Sequence, residues 1–92
     1  MNIEFDPEKS SKNRRDRGLP FDEAAVFDWE TAVYVEDTRQ PYPERRFVAV
    51  GYLGERLHVL CFTPILSGVR VISFRKANLR EVRRYENKTI NQ

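Results

Sequence analysis

Chemistry in this chain of 92 residues has to come first from guanidinium groups, because Arg70, Arg75, Arg80, Arg83 and Arg84 crowd into residues 69–85, VRVISFRKANLREVRRY. A guanidinium keeps its charge at any ordinary pH, and its planar fork binds two oxygens of a phosphate or carboxylate at once. Arg75 stands where strand-like alternation gives way to helical spacing, so it is the first candidate for a phosphate contact, with a helix N-terminus nearby to add backbone donors. The structural alternative is an ion pair with Glu81 or Glu44. Strict alternation puts Val69, Val71, Ser73 and Arg75 on one face and Arg70, Ile72 and Phe74 on the other, which would separate the roles of Arg70 and Arg75. Lys76, Arg80, Arg83 and Arg84, with Lys12 far upstream, are candidates to meet a nucleic-acid backbone or an acidic partner; a merely solvated face is the alternative.

Groups able to move a proton are fewer. Glu44, Arg45 and Arg46 form one cluster, in which Glu44 is a candidate general base and Arg46 a candidate substrate contact, although a loop carboxylate that simply pairs with an arginine is commoner. His58, the sole histidine, lies mid-strand on the face of Arg56, Leu60 and Phe62, and is either a packing residue or a proton-transfer group. Tyr85 could donate to a leaving group, but its place in the stripe Leu79, Val82, Tyr85 argues for packing. Metal chemistry finds no His or Cys cluster with ligand spacing, and no glycine-rich phosphate loop is present, so no cofactor is expected. Cys61 sits in the apolar run LHVLCF, where a buried inert thiol is expected.

The elements that must position these groups can be read in order. Ile3 and Phe5 alternate in a brief strand. Asp6 is an N-cap for a helix over 7–17, with Pro7 at its first position and Gly18 at its end. That helix is almost wholly polar; either it covers the surface with Lys and Arg stems, or its basic face serves a ligand. A second short helix is expected over 21–27, burying Phe21, Ala24 and Ala25 with Phe27 or Val26. A strand over 31–35 follows, then a loop over 38–45 that Pro41 and Pro43 keep out of the sheet. Strands over 47–53 and 56–63 form a hairpin about Gly54-Glu55. A last strand spans 69–75, and a terminal helix starts at Asn78, with Glu81 completing a capping box. The expected class is α+β: a single domain with an antiparallel sheet of four to five strands, two N-terminal helices and one C-terminal helix.

Charge is distributed unevenly. Residues 19–67 carry four basic and eight acidic side chains, whereas residues 68–92 carry seven and two. Such a basic end suits phosphate or an acidic partner surface. The start of the chain lacks the pattern of a secretion signal and no apolar run reaches membrane-spanning length, so a cytoplasmic location fits.

Three segments, FDPEKSSKNRRDRGLPFDEAAVFD, PERRFVAVGYLGERLHVLCF and RVISFRKANLREVRRYE, together resemble the BrnT family of toxins. The resemblance implies a RelE-like fold, metal-independent endoribonuclease activity that blocks translation, and neutralisation by a ribbon-helix-helix antitoxin of the BrnA type encoded beside the toxin. Operator DNA would be met only through the antitoxin complex. Cleavage of this kind needs a base for the 2′-hydroxyl, donors for charge developing on phosphorus, and an acid for the leaving oxygen; Arg75, Arg46, Glu44, Arg17, His58 and Tyr85 are the candidates. Where the family pattern has Lys-His-Gly-Val, this chain has Asp16-Arg17-Gly18-Leu19, replacing a titratable imidazole by a guanidinium that does not exchange protons near neutral pH. Phe74 likewise replaces the usual alanine. The alternative implied by the Arg17 departure is a non-catalytic module that retains only antitoxin or nucleic-acid binding.

Overall fold

The fold, taken from a computed structural model that describes residues 1–90, is a five-stranded sheet with α1 and a 3₁₀ helix on one face and α2 on the other. Its elements are β1 (Asn2–Glu4), α1 (Pro7–Arg17), the 3₁₀ helix Phe21–Val26, β2 (Val33–Glu36), β3 (Phe47–Leu53), β4 (Arg56–Ile65), β5 (Gly68–Lys76) and α2 (Leu79–Ile90). The strands lie in the order β1-β5-β4-β3-β2.

The sheet is α+β in class but mixed, not antiparallel throughout. β2 to β5 form the expected antiparallel run, whereas β1 lies parallel to β5, with Ile3 opposite Val69. Parallel pairing needs a long crossover, and here everything from α1 to β4 supplies it. Gly68 is what lets β1 approach: a β-carbon there would lie 1.8 Å from the Asn2 carbonyl oxygen. The second expected helix is instead a 3₁₀ helix that ends at Val26, with Phe27 extended beyond it. Six residues beginning after Pro20 are too few for a stable α-helix, and the segment buries Phe21, Ala24 and Phe27 while Ala25 and Val26 stay exposed.

Local signals act where the sequence places them. The Asp6 carboxylate accepts from the Glu8 N–H at 2.9 Å, and Gly18 closes α1 in the left-handed region at φ 66°. Gly54 turns the β3–β4 hairpin at φ 63°. Asn78 and Glu81 exchange side-chain-to-backbone hydrogen bonds of 2.8 and 2.9 Å, a reciprocal capping box for α2.

The two faces of the sheet are filled differently. Under α1 and the 3₁₀ helix lies a core of Leu19, Phe21, Ala24, Phe27, Ala49, Leu60, Phe62, Val69, Val71 and Phe74. Its rings meet edge to face, as in Phe27 with Phe74 at 6.0 Å. α1 contributes no apolar side chain to it; Ser10 is its one buried residue. It is tied down by polar bonds instead: Ser10 Oγ accepts from the Phe21 N–H at 2.9 Å, and Asn13 Nδ2 donates to Leu19 O and Phe74 O at 2.7 and 2.9 Å. The opposite face holds a smaller cluster of Leu57, Val59, Ala77 and Tyr85, with Val82 packed beside it. Leu79, expected in the inward stripe of α2, is 63% exposed. Of the expected stripe, Val82 and Tyr85 are the two that pack against the sheet.

One irregularity in β5 changes which side chains share a face. Phe62 pairs with Val71 and Cys61 with Ser73, leaving Ile72 as an extra residue. This β-bulge shifts the alternation by one position, so Val69, Val71 and Phe74 all enter the first core. Arg70 and Arg75, each alternating with members of that core, therefore project from the same face, the one that carries α2, and not from opposite faces.

Candidate functional site

Four of the candidate residues meet at one end of the sheet. The last turn of α1 and the β4–β5 pair enclose an open cavity of about 510 Å³, lined by Arg17, Gly18, Leu19, His58, Arg75 and Lys76. His58 and Lys76 are register partners across the two strands. Arg17 is brought to them by the end of α1, whose position the Asn13 amide fixes through its bond to the Phe74 carbonyl. Gly18 in its left-handed conformation then turns the chain so that Leu19 enters the core beneath.

His58 is only 5% exposed and stacks edge to face on Phe74 at 5.6 Å. Its Nδ1 lies 2.8 Å from the Arg56 carbonyl oxygen. A carbonyl can only accept, so Nδ1 carries the proton and Nε2 of the neutral ring keeps its lone pair. Burial pushes the imidazole below its ordinary value, opposed by the Arg56 carbonyl bond and helped by the charges of Arg56 and Lys76. The arrangement leaves a neutral imidazole beside cations, a proton acceptor near neutral pH.

Arg75 forms the wall between this cavity and α2. Its Nη1 and Nη2 donate to Glu81 Oε1 and Oε2, both at 2.8 Å, and Nη1 also reaches Lys76 O at 3.2 Å. The ion-pair alternative is thus what the free chain adopts. The hydrogen bonds to Arg75 are the main cause that lowers the Glu81 carboxyl below its ordinary value. Glu81 also accepts from the Asn78 N–H, so the backbone donors expected at the start of α2 are partly spent on its own cap.

The other candidates lie elsewhere. Glu44 pairs with Arg70 at 3.1 Å, and Arg70 also reaches Glu4 at 3.5 Å, so the Glu44 carboxylate serves a rim pair at the opposite end of β5 from Arg75. Arg46 does not join Glu44: its guanidinium stacks 4.1 Å above the Tyr42 ring, and its Nε is buried without a hydrogen-bond partner. Beside it, Asp37 accepts two side-chain bonds and one backbone bond from Arg39 and one bond from Tyr42, and these, with the Arg39 side-chain hydrogen bond foremost, hold its carboxyl at about 2. The β2–β3 loop is pinned by this network. The Tyr85 hydroxyl donates to Thr31 O at 3.1 Å and its ring is buried against Tyr52, which ties α2 to the segment leading into β2 and sets Tyr85 apart from the cavity. Lys12 pairs with Asp16 one turn along α1, and Arg80 and Arg83 are exposed on α2. Arg84 instead borders a groove between α2 and the β2–β3 edge. Burial pushes the Cys61 thiol up, away from nucleophilic character. Among the described residues no group of three or more His, Cys, Asp or Glu is placed to hold a metal ion.

Sequence spacing singled out Arg75 and His58 separately, but not their meeting with Arg17 and Lys76. The hairpin register is the signal that comes nearest to joining them: a two-residue turn at Leu66-Ser67 places position 58 opposite 75, and the bulge at Ile72 moves its partner on to Lys76.

The comparison that bears on this site is with protein families: the family model for the ribonuclease toxin BrnT of type II toxin-antitoxin systems matches residues 5–81. The chain belongs to the BrnT family. The match spans α1, the whole sheet from β2 to β5 and the first turn of α2, and so includes Arg17, His58, Arg75, Lys76 and Glu81. A search of curated proteins gives no match. Membership makes this a ribonuclease toxin by family with an antitoxin as its partner. No helix among the described residues is long and apolar enough to cross a membrane.

Proposed function

We propose that this BrnT-family chain is a metal-independent endoribonuclease that blocks translation by cutting RNA, and that a ribbon-helix-helix antitoxin of the BrnA type neutralises it, so that the toxin meets operator DNA only within that complex. The observation that carries the reading is the cavity at the end of β4 and β5, where a neutral imidazole with a free Nε2 stands among Arg17, Arg75 and Lys76. His58 Nε2 takes the proton of the RNA 2′-hydroxyl as that oxygen attacks phosphorus. The bond from phosphorus to the 5′-oxygen breaks, and the Lys76 ammonium, the one dissociable cation in the cavity wall, returns a proton to it; the products are a 2′,3′-cyclic phosphate and a 5′-hydroxyl. Arg17 and Arg75 hold the phosphoryl oxygens, with Arg75 exchanging its Glu81 partner for the more highly charged transition state. On this reading Arg17 binds phosphate, and the proton-transfer role moves from the α1 terminus to His58.

A second reading, a binding module without catalysis, draws on the same fork: Glu81 occupies both Arg75 amino groups in the free chain. RNA incubated with the purified chain in excess chelator separates the two. Cleavage should persist there and fall on the order of 100-fold in Arg75→Ala, with the circular dichroism spectrum unchanged. An inert wild type supports the module, and undiminished cleavage or growth arrest by Arg75→Ala removes the assignment of the cavity.

A further inference from the structure

A second surface lies away from the cavity, along β2. This strand bonds only to β3, so its other side is a sheet edge. The Asp37 N–H donates to Arg46 O at 2.8 Å, which sets the phase of the ladder: 33, 35 and 37 bond to β3, while Tyr34 and Glu36 turn their N–H and C=O groups outward. β2 reads VYVE, with neither lysine nor proline to discourage pairing, and Tyr34 and Val35 are 44% and 56% exposed. An apolar edge of this kind invites an added strand unless something covers it.

The edge opens on its α2 side into a groove of about 330 Å³, floored by Val33, Val35, Val48, Val50 and Tyr85. Charges on its rim are unevenly matched. Glu36, Asp37 and Glu81 are each bonded to an arginine, Arg45, Arg39 and Arg75, at 2.8 to 3.0 Å. Arg84 and Lys88, one turn apart on α2, line the same groove and are in none of the ion pairs formed among the described residues. The groove is therefore apolar at its floor and open to negative charge at one rim.

We propose that this edge and groove receive the antitoxin, through an extended apolar segment bearing acidic side chains that adds to the sheet beside β2. The proposal rests on the family's antitoxin partnership and deepens it by placing the partner. Backbone bonds to Tyr34 and Glu36 supply the pairing, alternate side chains of the segment continue the Val33–Val35 row into the groove, and its carboxylates meet Arg84 and Lys88. The inhibitor then seats on the α2 face, away from His58 and Lys76, and adjoins the cavity through the Arg75–Glu81 pair.

The test uses the full chain and, as probe, a ribbon-helix-helix antitoxin of the BrnA type. Amide exchange should slow at Tyr34 and Glu36 in the complex. Val35→Lys, at an exposed position, should weaken binding at least tenfold while RNA cleavage by the free chain stays unchanged. Lys88→Glu, at an exposed position on the groove rim, should also weaken binding and reduce its salt dependence. The proposal is overturned by unprotected amides at 34 and 36, by undiminished affinity in both variants, by failure of the two proteins to associate, or by a homodimer in which β2 pairs with a second copy of this chain. An inactive free chain whose β2 is still protected by the antitoxin would overturn the ribonuclease reading alone. An active chain with β2 unprotected would overturn the docking proposal alone.

Discussion

The two faces of this sheet are built on opposite economies. The face under α1 is closed by an aromatic core yet roofed by a helix with no apolar side chain in it, held by Ser10 and Asn13. The α2 face is roofed by an amphipathic helix that sinks Val82 and Tyr85 but covers only part of the sheet, leaving a groove and exposed arginines. Burial supplies non-directional stability, whereas hydrogen bonds specify position. The division places stability in the aromatic core, and positional accuracy in the α1 terminus, where Arg17 borders the cavity with His58.

The sharpest way to break this contrast is to remove mass from each face. Phe74 is fully buried and touches Phe27 and His58, so Phe74→Ala should cost about 3–5 kcal/mol in urea unfolding. Val82→Ala, on the partly covered face, should cost about 1 kcal/mol. Equal losses would mean that the α2 face carries as much of the core as the α1 face.

A smaller perturbation tests the polar roof. Asn13→Ala removes the donor to both Leu19 O and Phe74 O, and should destabilise by about 1–3 kcal/mol, more than any apolar contact of α1 could account for. Because the same amide positions Arg17, cleavage should fall more than stability explains. Lys12→Ala, which breaks only the exposed pair with Asp16, should stay within about 0.5 kcal/mol of wild type. An Asn13 variant as mild as the Lys12 one would show that α1 is held by something else.

Local chemistry was legible in the sequence, and long-range geometry was not. Asp6, Gly18, Gly54 and the Asn78–Glu81 box each act through neighbours within a few positions, so residue type and spacing suffice to read them. The parallel seat of β1 depends on Gly68, more than sixty residues away, and a period-two reading cannot see it. The bulge at Ile72 is a two-against-one mismatch with β4, invisible in β5 alone, and it reversed the relation of Arg70 to Arg75. Asn13 looked like one more polar residue of a polar helix, because its partner Phe74 lies sixty-one positions on. Glu44 offered the residue type of a general base, and its ion pair with Arg70, twenty-six positions on, is not readable from spacing.

The mildest test concerns protons on the closed face. His58 is the sole histidine, so between the carboxylate range and about pH 6.5 it is the side chain whose ordinary value lies in the window. Its folded value is depressed by burial, so the unfolded chain binds the proton first as pH falls. Stability should be level above the ordinary value of 6.5 and decline below it, toward the folded value. The same shift keeps Nε2 unprotonated, so the acid limb of RNA cleavage should fall below pH 6.5 and coincide with the imidazole titration followed by NMR. A titration midpoint above 6.5 would mean that the charged ring is favoured in the fold. His58 would then be a fourth cation of the cavity, and the base would have to be sought elsewhere.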